Sequence, residues 1–241
     1  MIRESLRRIA QDQSFHPTLL GAFVNPFFIA RRGLAAAIGE FAHHLHGRLL
    51  DVGCGRKPYE RLFRVEEYVG LDLESDRARS VGVADHYYDG ERFPFVNASF
   101  DSVLCNQVLE HVFNPNEFVA EIHRVLKPGG RLLLTVPFVW DEHEQPFDYA
   151  RYSSFGLRAL FERNGFTIER HRKINADVSI VFQLINAYLY KILPKRLIVQ
   201  AIVCATLMAP VSYLGMISAK IFPVNEDLYL DQIILAKRLP A

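Results

Sequence analysis

The stretch Leu49-Leu50-Asp51-Val52-Gly53-Cys54-Gly55 decides the fold. An apolar run that stops abruptly on small residues reads as a buried parallel strand turning into a loop beneath a ligand. Further on, a second apolar run, Val69-Gly70-Leu71, ends on Asp72. In a doubly wound sheet that spacing brings the glycine loop and an acidic side chain to the same carboxyl edge, where an adenosine ribose can be held.

Working outward, residues 28–45 carry alanines and apolar residues at helical spacing and predict a helix beside the first strand. After the loop, Pro58 opens a predicted helical turn over residues 59–63. A weaker apolar segment, 81–88, predicts a third strand closing on Asp89 and Gly90. Phe93-Pro94-Phe95 leads into a fourth strand over 100–105, which ends on Asn106 and Gln107. Asn114, Pro115 and Glu117 predict a capped helix start, and Lys127-Pro128-Gly129-Gly130 its end. Residues 132–136 read as a fifth strand, 153–164 as a serine-capped helix, 166–173 as a sixth strand and 231–237 as a final edge strand. This alternation predicts an α/β fold: a doubly wound, Rossmann-like sheet, mostly parallel, with an antiparallel last strand. The expected segments are a helical leader or lid (1–47), a ligand-binding core (48–177), a hydrophobic helical insertion (178–223) and a returning strand (224–241).

Composition narrows the function. A net charge of +1 over 241 residues supplies no field for nucleic acid, and no nucleic-acid partner is expected. Cys54, Cys105 and Cys204 lack paired spacing, which predicts a reducing, cytoplasmic setting and no metal. The alternation of charged and apolar residues over 1–8 is not that of a signal peptide. Residues 178–223 contain no Asp or Glu but include Lys191, Lys195, Arg196 and Lys220, and 197–217 contain no charge at all. If the last strand rejoins the sheet, a single membrane crossing is impossible. Two expectations stay open for this segment: peripheral contact with an anionic membrane face, or a homodimer interface.

A dinucleotide site usually needs a third glycine for close helix packing beside the pyrophosphate, and Pro58 stands there instead. S-adenosylmethionine has the ribose without the pyrophosphate, so two glycines and Asp72 suit it better than NAD. Four ordered motifs strengthen this: residues 49–55, 94–104, Val108-Leu109-Glu110-His111, and Arg124-Val125-Leu126-Lys127-Pro128-Gly129-Gly130. Together they resemble the class I S-adenosylmethionine-dependent methyltransferases of the small-molecule, type 11-like kind, over roughly residues 48–173. The resemblance implies that Asp51, Gly53 and Gly55 line the methionine end of the donor and that Asp72 holds the ribose. It implies that Asp89 approaches the adenine amine with Asp85 as a rival, that Asn106 lies beneath the donor, and that Cys54, Leu73 and Gly90 also belong to the cofactor site.

The block from Pro137 to Tyr152 is too long and too polar for a simple connection, and in this fold a loop there overhangs the carboxyl edge. Trp140, Tyr149, Arg151 and Tyr152 are therefore expected to wall an acceptor pocket. Arg31 and Arg32, together with Arg151, would favour an anionic acceptor if they converge. Asp148 and Arg151 could equally pair with each other. His143 is the first candidate for general base, Asp148 either fills that role or orients the histidine, and His111 is the third candidate. The block resembles those of methyltransferases acting on saccharide-bearing or lipid-linked small molecules. The expected function is O-methylation of such an acceptor, and the alternative is a donor-binding protein without the chemistry.

Overall fold

A computed structural model describes residues 12–240; residues 1–8, read above as no signal peptide, and the rest of the leader before Asp12 lie outside them. Seven strands form one sheet in the order β3-β2-β1-β4-β5-β7-β6. The strands are β1 (Arg48–Val52), β2 (Glu67–Leu73), β3 (His86–Tyr88), β4 (Phe100–Asn106), β5 (Leu126–Pro137), β6 (Phe166–Ile174) and β7 (Asp231–Arg238). β1 pairs in parallel with both β2 and β4, as do β2 with β3 and β4 with β5, while the C-terminal strands are antiparallel. β1 is central, which is why its sequence is apolar on both faces, with residues 49–52 buried.

The contacts divide the chain into two units. The larger holds residues 38–138, 142–172 and 232–241. Its core joins Leu50, Val52, Val103 and Cys105 of the strands to Phe118, Val119, Ile122 and Val125 of helix α3 (Pro115–Val125) and to Leu157, Leu160 and Phe161 of α4 (Ser154–Arg163). The apolar stripe read from the sequence is the face that α3 buries. Arg124 on this helix donates to the carbonyls of Phe93 and Phe95 at 3.1 and 2.7 Å, so two of the sequence motifs hold one another.

The smaller unit holds, among the described residues, 12–37, 139–141 and 173–231. Within it, α5 (Ser179–Ile192) and a long apolar helix make a hairpin. The second arm runs as α6 (Leu197–Val203), a π-helical turn at Cys204–Met208 and α7 (Ala209–Ser218). Asn186 donates to the Met208 carbonyl at 3.0 Å and to Ser212 Oγ at 2.9 Å, so its amide nitrogen ties the two arms together. A β-carbon on Gly215 would come 2.8 Å from Phe182 Cβ, so glycine permits the close approach of the two helices.

Several local expectations are corrected. β3 covers only His86–Tyr88, because residues before it form helix α2 (Asp76–Val81), capped by the Ser75 hydroxyl and closed by Gly82 at φ +64°. The stretch after Pro58 makes only a short 3-10 turn, Glu60–Leu62. Helix α1 runs Phe28–Phe41 and ends in another such turn, Ala42–His44. Asn114 makes no side-chain cap bond, and the chain becomes extended at Leu126, before the Lys127-Pro128-Gly129-Gly130 run. The last strand is not the edge: β7 lies between β5 and β6. Burial explains the order, since residues 231–236 of β7 are all buried, whereas β6 is largely half-exposed and charged and tolerates the outer position.

Candidate functional site

The parallel registers build one row of residues at the carboxyl edge. Val52 lies opposite Leu71 on one side and Cys105 on the other, so one step further along, Gly53 is level with Asp72 and Asn106. Gly53 has φ +70°, and a β-carbon there would lie 2.3 Å from Val108 Cγ2, so any other residue carries a backbone cost and must displace a neighbour. Gly53 and Cys54 donate their amides to the Leu71 carbonyl at 2.8 and 3.1 Å, tying the loop to β2. Gly55 has φ +50°, and a β-carbon there would meet nothing within 4 Å, so the loop opens on space at this point. Asp72 is half-buried, and its Oδ1 accepts from the Leu73 amide at 2.9 Å. A carboxylate level with a small-residue loop that opens on space fits an adenosine ribose and the chain beyond it.

The remaining donor-side residues have distinct surroundings. Asp51 is 4% exposed and accepts from the Tyr68 hydroxyl at 2.7 Å. Burial pushes its carboxyl up to about 7. Cys54 is buried with its thiol toward Gly70, so only its backbone can face the loop. Its thiol is pushed up to about 12 by burial and the neighbouring acids, which rules out thiolate chemistry near neutrality. Leu73 is exposed, and its Cδ1 is the atom a β-carbon on Gly90 would meet, at 3.3 Å. Asp89 is exposed at the end of β3, where its Oδ1 accepts from the Glu91 and Arg92 amides at 2.9 and 3.2 Å. Asp85 is occupied structurally: its Oδ2 accepts from Lys57 Nζ and from the Gly70 amide, both at 2.6 Å. Asn106 Oδ1 accepts from the Thr135 hydroxyl at 2.7 Å, linking β4 to β5.

A second cluster assembles after β4 and β5 in the same unit. Residues Leu109–His111 form a 3-10 turn whose Glu110 carbonyl accepts from the Tyr149 and Ala150 amides at 2.9 and 3.2 Å. Those bonds pin the polar block over the turn. Arg151 clamps Asp148 with two donors, at 2.5 Å to Oδ1 and 2.7 Å to Oδ2, and Asp148 Oδ2 also accepts from the His143 amide at 2.9 Å. The Arg151 guanidinium, helped by that amide, holds the Asp148 carboxyl down at about 2. A carboxylate so weakly basic is no general base near neutrality. Its Oδ2 lies 3.3 Å from His143 Nδ1, so of the two expected roles the orienting one suits it. Arg151 likewise spends its fork on Asp148, the pairing alternative.

Both histidines face one buried acid. His111 Nε2 and His143 Nε2 lie 3.8 and 4.0 Å from Glu110 Oε1, whose side chain is fully buried. Their rings meet edge to face with centroids 4.8 Å apart. Sequence reading named His111 and His143 and passed over Glu110, although it stands in the quoted motif. The signal available was an acid on an otherwise apolar turn. Tyr149 rests its ring on Phe113 at 5.3 Å, and Tyr152 packs on the core while its carbonyl accepts from Gln232 at 2.6 Å. Arg31 and Trp140 belong to the smaller unit, Arg31 over the Phe15 ring and Trp140 edge-on to Phe27 at 5.6 Å.

Comparison with known proteins bears on the same stretch. A family model described as a methyltransferase domain matches residues 50–134. A malonyl-[acyl-carrier protein] O-methyltransferase of Enterobacter lignolyticus is 33% identical over 114 residues, covering 44% of this chain and 45% of that protein. A fatty-acid O-methyltransferase of Mycolicibacterium smegmatis is 37% identical over 100 residues, covering 36% of each. The chain thus spans about half or less of the length of these curated relatives. The crystal structure of an S-adenosylmethionine dependent methyltransferase from Mesorhizobium loti superposes with a TM-score of 0.54 at 16% identity, covering 86% of this chain and 98% of that one. At that identity the likeness is one of fold.

Proposed function

The chain carries a class I S-adenosylmethionine-dependent methyltransferase domain, and from that premise we propose that it moves the donor's methyl group to an oxygen of a saccharide-bearing or lipid-like small molecule. The observation that carries the reading is the row Gly53, Asp72 and Asn106, three residues from three adjacent strands levelled by register at one edge. The oxygen acceptor is supported by relatives named for malonyl-[acyl-carrier protein] and fatty-acid O-methylation. Methyl transfer from a sulfonium takes its reactive group from the donor, which leaves the protein to align the acceptor and exclude water. For a hydroxyl acceptor the protein must also take a proton. His143, backed at Nδ1 by Asp148, is the residue suited to that step.

Radiolabelled donor incubated with protein and cell extract, then split into lipid and aqueous fractions, tests this. Label is expected in the lipid fraction, and Asp72→Ala should lower transfer about tenfold or more by weakening a charge-assisted bond to the ribose. Donor binding with no label in any fraction would leave a binding protein without the chemistry.

The hairpin supports a membrane setting. Helix Leu197–Ser218 is long and apolar enough to cross a bilayer, and Leu197, Ile198, Ile202, Leu214 and Ile217 are exposed along it. The chain enters the hairpin from β6 and leaves it into β7 of the same sheet, so the apolar face would lie on or dip into one leaflet. The segment's cations and lack of acids favour anionic lipid. Flotation should carry the protein with phosphatidylglycerol vesicles and leave it behind with phosphatidylcholine. Equal flotation, or none, would remove the anionic-membrane role.

A further inference from the structure

We propose that Glu110, His111 and His143 form a site for a divalent transition-metal cation of the zinc class, built into the acceptor side of the domain. The first ground is the donor set. One carboxylate oxygen and two imidazole nitrogens lie within 4.8 Å of one another. Two imidazoles and one carboxylate suit zinc, cobalt or iron(II), and they suit magnesium or calcium poorly because those ions prefer all-oxygen shells.

The second ground is how the rings are held. His111 Nδ1 lies 2.7 Å from the Phe147 carbonyl, which can only accept, so in the neutral ring the proton sits on Nδ1 and Nε2 carries the lone pair. His143 Nδ1 lies 3.3 Å from Asp148 Oδ2, which can only accept, and 3.5 Å from Arg151 Nη2, which can only donate; the shorter contact favours the same tautomer. Both Nε2 atoms lie toward Glu110 Oε1, at 3.8 and 4.0 Å. An outer partner on the far nitrogen of each ligating histidine, one a carbonyl and one a carboxylate, is the arrangement by which metal sites orient imidazole ligands.

The third ground is burial. The Glu110 side chain is fully buried while His111 and His143 are 21% and 28% exposed. A cation between them would offset the cost of an ionised acid removed from water and still be reachable from one side. Ligand atoms in a tetrahedral zinc shell stand about 3.4 Å apart, so binding draws these donors together by roughly half an ångström to one and a half. Three protein ligands leave a position open, the pattern of a working ion and not of a closed structural one. The open position would take an oxygen of the acceptor. In that form the ion would polarise the oxygen and the hydroxyl proton would leave to solvent on the exposed side, whereas the metal-free cluster leaves proton removal to His143.

Only the ion's use rests on the methyltransferase reading, and the test is run without donor. Tag-free protein, stripped with chelator and dialysed, is titrated calorimetrically with zinc and, separately, with magnesium. One zinc per chain is expected, with no comparable magnesium binding. His111→Ala and His143→Ala should each abolish that binding event, and Asp148→Asn, which leaves all three ligands in place while altering the partner of the far nitrogen of His143, should weaken it about 10- to 100-fold. Cooperative thermal unfolding of each variant verifies that it is folded. Absence of zinc binding would overturn the inference and leave the transfer reading intact. So would binding unchanged in His143→Ala, which would assign the ion elsewhere, for instance to the stacked pair His43 and His44. Failed methyl transfer with zinc bound as expected would strike the function and spare the site.

Discussion

Two carboxylates of the larger unit stand in different settings: Asp51 beneath the glycine loop is buried, whereas Asp148 in the polar block is half-buried and held by an arginine. Burial takes Asp51 up to about 7 against the opposing hydrogen bond from Tyr68, whereas a two-pronged guanidinium takes Asp148 down to about 2. Burial sets the charge of the first acid and the partner sets that of the second. The donor side keeps an acid whose ionisation the protein opposes and a cationic ligand would favour. The polar block keeps an acid fully ionised and uses it to orient a histidine. The donor loop takes its shape from backbone conformation, and the block takes its shape from side-chain pairing.

The largest expected effect would break that contrast at Asp51. Its folded pKa lies above the unfolded value of about 3.8, so the native state holds the extra proton between the two values and stability falls as pH rises through that window. The contribution is fully present below about pH 4 and gone above about pH 7, with a span of about 4 kcal/mol. Asp51→Asn keeps an acceptor for Tyr68 and removes the titration. The variant should match the parent near pH 4 and exceed it by up to that amount at pH 8, measured by urea unfolding at several pH values. Parallel profiles would mean that Asp51 ionises normally and that the two acids are alike after all.

How much of this was legible follows the same division. The alignment of Gly53, Asp72 and Asn106 at one edge was readable because register in a parallel sheet is fixed by the apolar run, and each stands directly after one such run. Helix α2 was missed because Ser75, a capping residue, precedes only a short polar turn with no apolar stripe to announce it. The inner place of β7 was missed because the last strand in the sequence need not be the last in the sheet, and its unbroken burial was the clue. Glu110 was passed over because its meaning depends on His143, brought to it by the bonds from Tyr149 and Ala150 to the Glu110 carbonyl. No spacing rule covers such a pairing.

The next effect in size tests the claim that backbone conformation shapes the donor loop. Gly53 and Gly55 both hold positive φ, at +70° and +50°, so alanine at either position carries a backbone penalty of about 1 to 2 kcal/mol. They differ in space. A methyl group on Gly53 would stand 2.3 Å from Val108 Cγ2 and force that side chain or the loop to move, adding about 1 to 3 kcal/mol, whereas one on Gly55 meets no atom within 4 Å. Gly53→Ala should therefore lose about 3 kcal/mol of stability and Gly55→Ala about 1, by urea unfolding at a single pH. Donor affinity should order differently: the open space beside Gly55 is what a ligand would enter, so its methyl group should weaken S-adenosylmethionine binding more than its small stability cost suggests. If Gly55→Ala binds the donor as the parent does, the space beside it is not used, and the donor is held by the side chains at the strand ends and not by the backbone of this loop.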